Sequence, residues 1–353
     1  MSITRGTGNL LTQDVDALVN TVNLQGIMGK GIALQFKKAW PSMFRAYEAA
    51  CKRGDVVPGR MHVWESGSLT GPRFIINFPT KRHWRVRSTI TDIEDGLRDL
   101  VQVIGDRGIT SIAIPPLGCG NGGLDWRDVE PRILNALEPF AGSVDIRIFP
   151  PAGAPSAGQQ PNSEAQPRLT PARAALLALM REYERVTFEP PTLIEIQKLA
   201  YFLQNSGLPL RLTFTAHTYG PYADELRKSL RAMEGHFTTG LGDGSAPVTK
   251  AEPIRVRPEA EVALDHYIQT HPETSYRISE VLQEIEGFES SYGLELLATV
   301  HWVMTHDADA SDSSIKAHEQ VQTWNARKSS LFTGPHVESA WQAVHDRALV
   351  TAT

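Results

Sequence analysis

The sequence predicts an α/β domain followed by a mainly α-helical domain, and three observations support this expectation. The first 150 residues alternate short apolar runs with helix-period patterns, as an α/β fold with a mostly parallel sheet does. The stretch PPAGAPSAGQQPNSEAQPRLTP then has almost nothing to bury, which is typical of a linker. From Arg173 onward apolar residues recur mainly with helical spacing. We therefore expect an α/β domain at 1–152, a linker at 153–170 and a helical domain at 171–353.

Each element of the first domain is predicted from an apolar run or an amphipathic stripe. Strands are expected at 17–20, 61–65, 73–77, 110–115 and 144–149. Helices are expected at 31–39, 42–53, 89–107 and 126–138. In the helix at 89–107, Ile93, Leu97 and Leu100 recur on one helical face. Strands and helices alternating in this way predict βαβ units.

The second half of the chain shows helical periodicity with one break. Leu193, Ile196 and Ala200 share a helical face, as do Leu226 and Leu230. A glycine-rich break follows at 240–246. Further helices are expected at 258–269, 275–286, 292–304, 315–328 and 336–349.

Composition excludes several classes of protein. A chain of 353 residues with 41% hydrophobic residues can bury two cores. The net charge of -5 gives no global signature of nucleic-acid binding, so any such binding needs a local basic patch. Cys51 and Cys119 are the two cysteines, too few for a disulfide framework or a metal set. No apolar run approaches the roughly 20 residues of a membrane span. We therefore expect a soluble, cytoplasmic protein.

Residues 17–41, ALVNTVNLQGIMGKGIALQFKKAWP, join a predicted strand to a predicted helix. The strand ends near the polar side chains of Asn20, Thr21 and Asn23, and glycines follow at positions 26, 29 and 31. Glycines allow backbone N–H groups to converge, and a helix N-terminus adds the positive end of its dipole. This segment therefore predicts a site for a phosphate or diphosphate. Its spacing matches neither GxxxxGKS/T nor GxGxxG.

A second glycine-rich loop, PPLGCGNGGLDW, covers residues 115–126. It follows a predicted buried strand that contains Ile112 and Ile114, and it precedes a predicted helix. One such loop fits a tight strand–helix turn as well as it fits a binding loop. Two loops at the carboxyl ends of strands in one open sheet occupy the place where α/β proteins bind ligands. Together they favour a phosphate-containing ligand.

GTGNLLTQDVDALVNTVNLQGIMGKGIALQFKKAWP followed by PPLGCGNGGLDW resembles the macrodomain family, a three-layer α/β/α module that binds ADP-ribose. The segment NFPTKRHWR at 77–85 narrows the resemblance to the branch with the terminal ADP-ribose glycohydrolases and the DarG antitoxins. It implies an enzyme that removes ADP-ribose from thymidine bases of single-stranded DNA without a cofactor or metal. The implied partners are ADP-ribosylated single-stranded DNA and a cognate DarT-like ADP-ribosyltransferase toxin, and the product is ADP-ribose.

The family's ADP-ribose contacts transfer to individual residues of this sequence. Gly8, Asn9 and Leu10 match the adenine site, where many macrodomains have Asp instead of Asn9, and Asn23 matches the distal ribose site. The first phosphate loop corresponds to Gly29, Lys30, Gly31 and Ile32, with Asn20 and Thr21 beside it. The loop around diphosphate and distal ribose corresponds to Pro116, Leu117, Gly118, Cys119, Gly120, Asn121 and Gly122.

Lys81 matches the catalytic lysine of the glycohydrolase branch, and we predict that Lys81 and Asn23 are catalytic. Protein-directed relatives carry an Asp shortly after GCG, whereas this chain has Asn121 there, so a lysine–aspartate dyad does not transfer. Asp125 is the nearest carboxylate, and a helix N-cap is its simpler interpretation. Two roles stay open for Lys81. As a cation it would stabilise the departing base, and as a neutral amine it would attack C1″ of the opened sugar.

The segment KRHWRVR continues from Lys81 and places Arg82, His83, Trp84 and Arg85 together. A run of charges is usually a solvated loop. An aromatic side chain among cations also suits single-stranded DNA, because it stacks on a base while the cations neutralise phosphates. The neighbouring macrodomain loops favour the DNA-binding interpretation.

In the second domain, LIEIQKLAYFLQNSG followed by FTAHTYGPYADELRKSL is similar to the SocA-like antitoxin module. Tyr219, Gly220 and Pro221 form its turn, and Asp224 and Glu225 open the next helix, which favours the helix dipole. An ordinary core helix and turn would show the same pattern, so the resemblance predicts a toxin-binding domain but no site. For the whole chain, an ADP-ribose reader and an ADP-ribose 1″-phosphate phosphatase remain alternatives.

Overall fold

The computed structural model describes residues 3–68, 70–246 and 251–347. The chain divides into two compact units. The first contains the residues up to Ala165 together with the short segment Gly242–Ala246. The second contains the rest of the described chain. The segment predicted as a linker therefore divides between the units at Ala165, because residues before that point contact the first unit.

A six-stranded sheet forms the centre of the first unit. Its strands are β1 (Ile3–Arg5), β2 (Ala17–Asn23), β3 (His62–Glu65), β4 (Phe74–Lys81), β5 (Ser111–Ile114) and β6 (Asp145–Ile148). The spatial order is β1-β6-β5-β2-β4-β3. All neighbouring pairs are parallel except β3 with β4, so the prediction of a mostly parallel sheet is confirmed.

Helices cover both faces of this sheet. They are α1 (Gly31–Ala39), α2 (Pro41–Arg53), α3 (Ile90–Asp106) and α4 (Trp126–Leu137). Alternate residues of β2 point to opposite faces: Ala17 and Val19 pack in the hydrophobic cluster with α3 and α4. Leu18 and Val22 pack in the cluster with α1 and α2. Period-two alternation along buried strands thus produces the three-layer α/β/α arrangement.

The predicted helix at 31–39 is confirmed, but two predicted strands end too early. β2 was expected to end at residue 20 and extends to Asn23, and β4 was expected to end at residue 77 and extends to Lys81. Polar residues such as Asn77 and Thr80 interrupt the apolar pattern, although Asn77 is fully buried and Thr80 nearly so. The correction matters because Asn23 and Lys81 thereby lie on strand ends rather than in loops. The short β1 was not predicted.

The second unit is mainly helical. Its helices are α5 (Pro171–Thr187), α6 (Leu193–Asn205), α7 (Asp224–Met233), α8 (Pro258–Thr270), α9 (Pro272–Glu284), α10 (Ser291–His306), α11 (Ala308–Asp312), α12 (Ser314–Trp324), α13 (Ala326–Leu331) and α14 (Gly334–Asp346). Two small antiparallel pairs were not predicted: β7 (Thr215–His217) with β8 (Gly220–Tyr222), and β9 (Thr238–Thr239) with β10 (Arg255–Val256). In the described part of the chain, no helix is long and apolar enough to span a membrane.

Two helix predictions in this unit need correction. The helix expected at 315–328 is interrupted at Asn325, which has an extended backbone and caps α13 by accepting a hydrogen bond from the Lys328 N–H at 2.9 Å. The helix expected at 336–349 ends at Asp346. Positions 348 and 349 of that prediction lie outside the described residues.

The predicted turn at residues 219–221 needs correction, because Tyr219 lies in the turn of the β7–β8 hairpin whereas Gly220 and Pro221 belong to β8. Buried polar side chains join the α6 helix to this hairpin. Lys198 Nζ donates a hydrogen bond to the Pro221 carbonyl at 2.7 Å. The Gln197 side chain accepts from the Ala223 N–H at 2.9 Å and donates to the Ala223 carbonyl at 3.1 Å. Burial lowers the pKa of Lys198 to about 7. The two segments that carry the antitoxin-like pattern therefore pack against each other in this unit.

Candidate active site

The predicted catalytic residues come together at the carboxyl ends of two adjacent parallel strands. β2 ends at Asn23, β4 ends at Lys81, and these two residues are register partners. β5 ends nearby at Ile114, and the second glycine loop follows it. This edge of an open α/β sheet is where such folds bind ligands.

The side chain of Asn23 shapes the turn that leads to the first glycine loop. Asn23 is buried, its Nδ2 donates to the Ile27 carbonyl at 2.6 Å, and its Oδ1 accepts from the Gln25 N–H at 2.8 Å. Tyr47 adds a hydrogen bond from its hydroxyl to the Asn23 carbonyl at 2.5 Å. In this structure the Asn23 amide thus fixes the backbone beside the predicted ribose position.

Lys81 connects β4 to the second glycine loop. Its Nζ donates a hydrogen bond to the Asn121 carbonyl. Burial lowers the pKa of Lys81 below its ordinary value. A lower pKa increases the neutral fraction of the amine, so both roles that the sequence left open for Lys81 stay open.

The first glycine loop leads into α1. Gly31 begins this helix with a φ of +64°, a conformation that favours glycine. Its N–H has no acceptor within the helix. It donates a hydrogen bond to the Asp243 carbonyl at 3.2 Å. Gly29 and Lys30 are exposed, and Ile32 is partly exposed. The two glycine loops meet here, because Asn121 Nδ2 lies 3.0 Å from the point that a Cβ on Gly31 would occupy.

The second glycine loop is held together mainly by bonds within itself. The Cys119 N–H donates to the Pro116 carbonyl, the Gly123 N–H to the Gly120 carbonyl and the Leu124 N–H to the Gly118 carbonyl, each at 3.1 Å. A Cβ on Gly122 would lie 2.1 Å from the Gly118 carbonyl oxygen, so that position requires glycine. Outside the loop, the Ser88 N–H donates to the Gly122 carbonyl at 3.0 Å.

Two ionisable side chains within this loop have simple roles. Asp125 is the N-cap of α4, where its side chain accepts from the Arg127 N–H at 2.9 Å, so the N-cap interpretation is confirmed. The hydrogen bond from the Arg127 side chain lowers the pKa of Asp125 to about 2, which keeps it a carboxylate. Burial raises the pKa of the Cys119 thiol to about 11, so it stays protonated near neutral pH. Neither group is prepared for proton transfer or nucleophilic attack.

The predicted adenine residues surround a short 3₁₀ helix, Leu10–Thr12. Asn9 is its N-cap and accepts from the Leu11 N–H at 2.9 Å. The Asn9 Nδ2 donates to the Gln159 carbonyl at 2.8 Å. Gly8 is exposed and Leu10 is buried. The adenine assignment stays a prediction, and this contact shows that residues of the predicted linker reach the same position.

Sequence reasoning missed a buried polar chain behind the site. Asn20 is fully buried and its Nδ2 donates to Asn77 Oδ1 at 2.8 Å, while Asn77 Nδ2 lies 3.0 Å from His62 Nδ1. Thr21, next to Asn20, is partly exposed. Asn20 therefore contacts protein in this structure and not the surface of the predicted site. A signal existed in the sequence, since Asn77 interrupts an otherwise apolar strand.

The basic segment Lys81–Arg87 presents an exposed aromatic ring. Trp84 is 46% exposed, and the Arg85 guanidinium lies over its ring at 4.5 Å from the centroid. His83 stacks against Trp84 with the ring centroids 5.8 Å apart. Arg82 pairs with Asp92 at 3.2 Å, which fastens the segment to α3. Trp84 and Arg85 thus lie together at the surface, beside the exposed side chains of Arg82 and Val86.

Among the residues that the structure describes, no three His, Cys, Asp or Glu side chains form a group that could hold a metal ion.

Comparison with protein families matches residues 19–133 to the Macro domain. The first unit is a macrodomain, in agreement with its three layers and its two glycine loops. The DNA ADP-ribosyl glycohydrolase of Mycobacterium tuberculosis (strain ATCC 25618 / H37Rv) is 45% identical over 361 residues, which cover 99% of this chain and 100% of that relative. The chain therefore belongs to the family of DNA ADP-ribosyl glycohydrolases and is an enzyme.

Two further similarities concern parts of the chain. A solved structure, the macrodomain of Mycobacterium tuberculosis DarG, is 57% identical and covers 42% of this chain and 98% of its own, with a TM-score of 0.42. A DNA ADP-ribosyl transferase–DNA ADP-ribosyl glycohydrolase fusion protein of Thermosipho africanus (strain H17ap60334) is 33% identical over 162 residues. That alignment covers 41% of this chain and 40% of the fusion protein. The expected membership of the glycohydrolase branch is confirmed by the full-length relative.

Proposed function

We propose that this enzyme is an antitoxin that acts in the cytoplasm and hydrolyses the N-glycosidic bond between ADP-ribose and thymine bases in single-stranded DNA. The single observation that carries the proposal is the meeting of Asn23, Lys81 and Asn121 where β2, β4 and the second glycine loop converge. It gives a cationic or nucleophilic group beside two loops suited to a diphosphate. The 45% identity to a DNA ADP-ribosyl glycohydrolase over the full chain supports it.

The loops supply binding energy that positions the reacting bond. Backbone N–H groups of the first and second glycine loops would hold the diphosphate, and the second loop would enclose the distal ribose. Because these parts of the substrate do not react, their binding energy is available to place C1″ against the catalytic groups. The internally bonded second loop needs little reordering for this purpose.

Lys81 is the group that acts on the glycosidic bond. The thymine must leave as an anion or accept a proton, and a positioned ammonium group stabilises either path. Alternatively, the neutral amine attacks C1″ of the ring-opened sugar, the bond between C1″ and the thymine nitrogen breaks as the base leaves with a proton, and water hydrolyses the resulting imine to release ADP-ribose and the free amine. Borohydride reduction during turnover separates these roles, because only the imine is trapped as a covalent adduct on Lys81.

The decisive experiment incubates the purified chain with an ADP-ribosylated thymidine oligonucleotide and follows release of ADP-ribose. We expect release with multiple turnovers and an unmodified thymine in the product. Binding without release would instead support an ADP-ribose reader. Hydrolysis of ADP-ribose 1″-phosphate with no release from the oligonucleotide would support the phosphatase.

The second unit is the proposed binding partner of a DarT-like ADP-ribosyltransferase toxin. The fusion of a DNA ADP-ribosyl transferase to a glycohydrolase in Thermosipho africanus supports a functional link between these two activities. Buried hydrogen bonds from Gln197 and Lys198 hold α6 against the β7–β8 hairpin, so the two segments of the antitoxin-like pattern are adjacent in this unit. Fragments 1–165 and 166–353 would be tested separately for capture of the cognate toxin. Capture by 1–165 alone would contradict the proposal for the second unit.

A further inference from the structure

The segment Gly242–Ala246 belongs to the first unit although it lies between helices of the second unit in sequence. It contacts α1 at the first glycine loop through Asp243. Asp243 is 4% exposed, so the contact encloses it almost completely. A buried carboxylate placed against a phosphate loop requires an explanation, because burial of a charge is costly unless hydrogen bonds compensate.

Two hydrogen bonds compensate for the burial of the Asp243 carboxylate, and a third holds its backbone. Gln35 Nε2 donates to Asp243 Oδ2 at 2.7 Å, and the Ser245 N–H donates to Asp243 Oδ1 at 2.9 Å. The third bond uses the backbone, since the Gly31 N–H donates to the Asp243 carbonyl at 3.2 Å. Both the side chain and the main chain of Asp243 are thus fixed against α1.

The Gly31 contact conflicts with the proposed phosphate site. The N–H of the first residue of a helix has no intrahelical acceptor, and it is a donor that an anion at this end of α1 would use. A carbonyl oxygen already occupies it. A phosphate oxygen and the Asp243 carbonyl cannot accept from this N–H in the same position, so their binding is mutually exclusive.

A second contact lies at the other end of the predicted ligand site. The Asn9 side chain donates to the Gln159 carbonyl at 2.8 Å. Gln160 Nε2 lies 3.1 Å from the point that a Cβ on Gly242 would occupy, so this stretch adjoins the Asp243 segment. The Ser163 N–H also donates to the Lys38 carbonyl of α1 at 2.8 Å. Residues that sequence reasoning assigned to a linker therefore support the segment where it meets α1.

We propose that Gly242–Ala246 is an autoinhibitory segment that competes with the diphosphate of ADP-ribose for the first glycine loop. The inference rests on the proposed function, since it requires that this loop binds phosphate. The docked segment would reduce the apparent affinity by the fraction of molecules in which the loop is occupied. ADP-ribose would in turn displace the segment by the same coupling free energy.

Calorimetry with ADP-ribose on the full chain tests the competition. Asp243→Ala removes the carboxylate, and Gln35→Ala removes its partner on α1 without touching a predicted ligand residue. Both variants should bind ADP-ribose about 3- to 10-fold more tightly than the unaltered chain. Asp106→Ala, which removes an exposed carboxylate at the end of α3, is the matched control and should not change the affinity.

Hydrogen–deuterium exchange tests whether ADP-ribose displaces the segment Gly242–Ala246 or holds it in place. Saturating ADP-ribose should increase exchange in peptides that cover Gly242–Ala246, while peptides of the glycine loops become protected. Protection of the segment would overturn the inference, because it would show that the segment is part of the bound site. Equal ADP-ribose affinity in Asp243→Ala and the unaltered chain would also overturn it. If none of these proteins bound ADP-ribose, the proposed function would fail as well.

Discussion

The two glycine loops reach the same site but are stabilised in different ways. The second loop is closed by three hydrogen bonds within itself and by the Ser88 N–H. The first loop has Gly29 and Lys30 exposed, and the Gly31 N–H is occupied by Asp243 from a distant part of the sequence. The second loop is therefore shaped by its own sequence, whereas the first is contacted by a segment that is distant in the sequence.

This difference suggests separate roles for the two loops: the second positions the substrate, and the first regulates its binding. A loop that is already in its binding conformation loses little conformational entropy when the ligand arrives, so it suits the distal ribose and the reacting bond. A loop whose donor is occupied gains affinity only when the occupant leaves. Lys81 contacts the second glycine loop, because its Nζ donates a hydrogen bond to the Asn121 carbonyl. Chemistry and regulation would then lie on opposite sides of the same ligand.

The largest expected effect is the loss of turnover in Lys81→Ala. Removal of the amine should lower the single-turnover rate by roughly 1000-fold, because it removes the group that acts on the departing base. ADP-ribose affinity measured by calorimetry should stay within a few-fold. Lys30→Ala is the matched change in the first loop, and it should weaken binding without lowering the rate at saturation. Parallel loss of affinity and rate in Lys81→Ala would make Lys81 a binding residue.

A charge placed in the second loop should abolish ligand binding. A Cβ on Gly120 would meet no atom within 4 Å, so Gly120→Glu should fold normally. Its carboxylate would lie near the proposed diphosphate and should weaken ADP-ribose binding by roughly 100-fold or more through like-charge repulsion. Gly120→Ala controls for the added Cβ and should bind normally. Near-normal affinity in Gly120→Glu would exclude this loop as the diphosphate site.

The alternation of apolar runs and helical patterns was sufficient to predict the α/β fold and the edge of the sheet that carries both loops. Carboxyl ends of parallel strands share one edge, so the two glycine loops were expected together, whereas Asn23 and Lys81 were assigned from the macrodomain resemblance. The exact ends of β2 and β4 were not predictable, because buried polar residues such as Asn77 look like the start of a loop. Their burial becomes favourable only through partners on neighbouring strands, as with His62.

The contact between Asp243 and Gln35 could not be predicted from the sequence. Gln35 and Asp243 are 208 residues apart, and neither lies in a motif. The glycines and small polar residues around Asp243 are as typical of an exposed turn as of a docked segment. The contact arises from tertiary packing, which no local pattern contains. The same holds for Gln159 beside Asn9, in a stretch whose composition is that of a linker.

A third prediction compares the two loops by stability. A Cβ on Gly122 would lie 2.1 Å from the Gly118 carbonyl oxygen and 2.4 Å from Ser88 Oγ, so Gly122→Ala must displace backbone. We expect a loss of about 1–3 kcal/mol in the free energy of unfolding of the first unit, measured by urea denaturation. A Cβ on Gly29 would meet only Ile27 at 3.8 Å, and Gly29→Ala should change stability by less than about 0.5 kcal/mol. Equal destabilisation would mean that the first loop is as tightly packed as the second.

The smallest expected effect lies beyond both loops, in the basic segment. Replacing Arg82, Trp84 and Arg85 together with alanine should raise KM for the ADP-ribosylated oligonucleotide several-fold, because a stacking platform and two cations are lost. KM for the modified mononucleoside should not change, since the glycine loops and Lys81 remain. The salt dependence for the oligonucleotide should become shallower, by a slope of about 0.7 for each phosphate contact removed. Arg98→Ala, which removes an exposed cation from α3, is the control and should leave both KM values unchanged. An equal rise in KM for both substrates would show that the segment supports the ADP-ribose site and does not contact DNA.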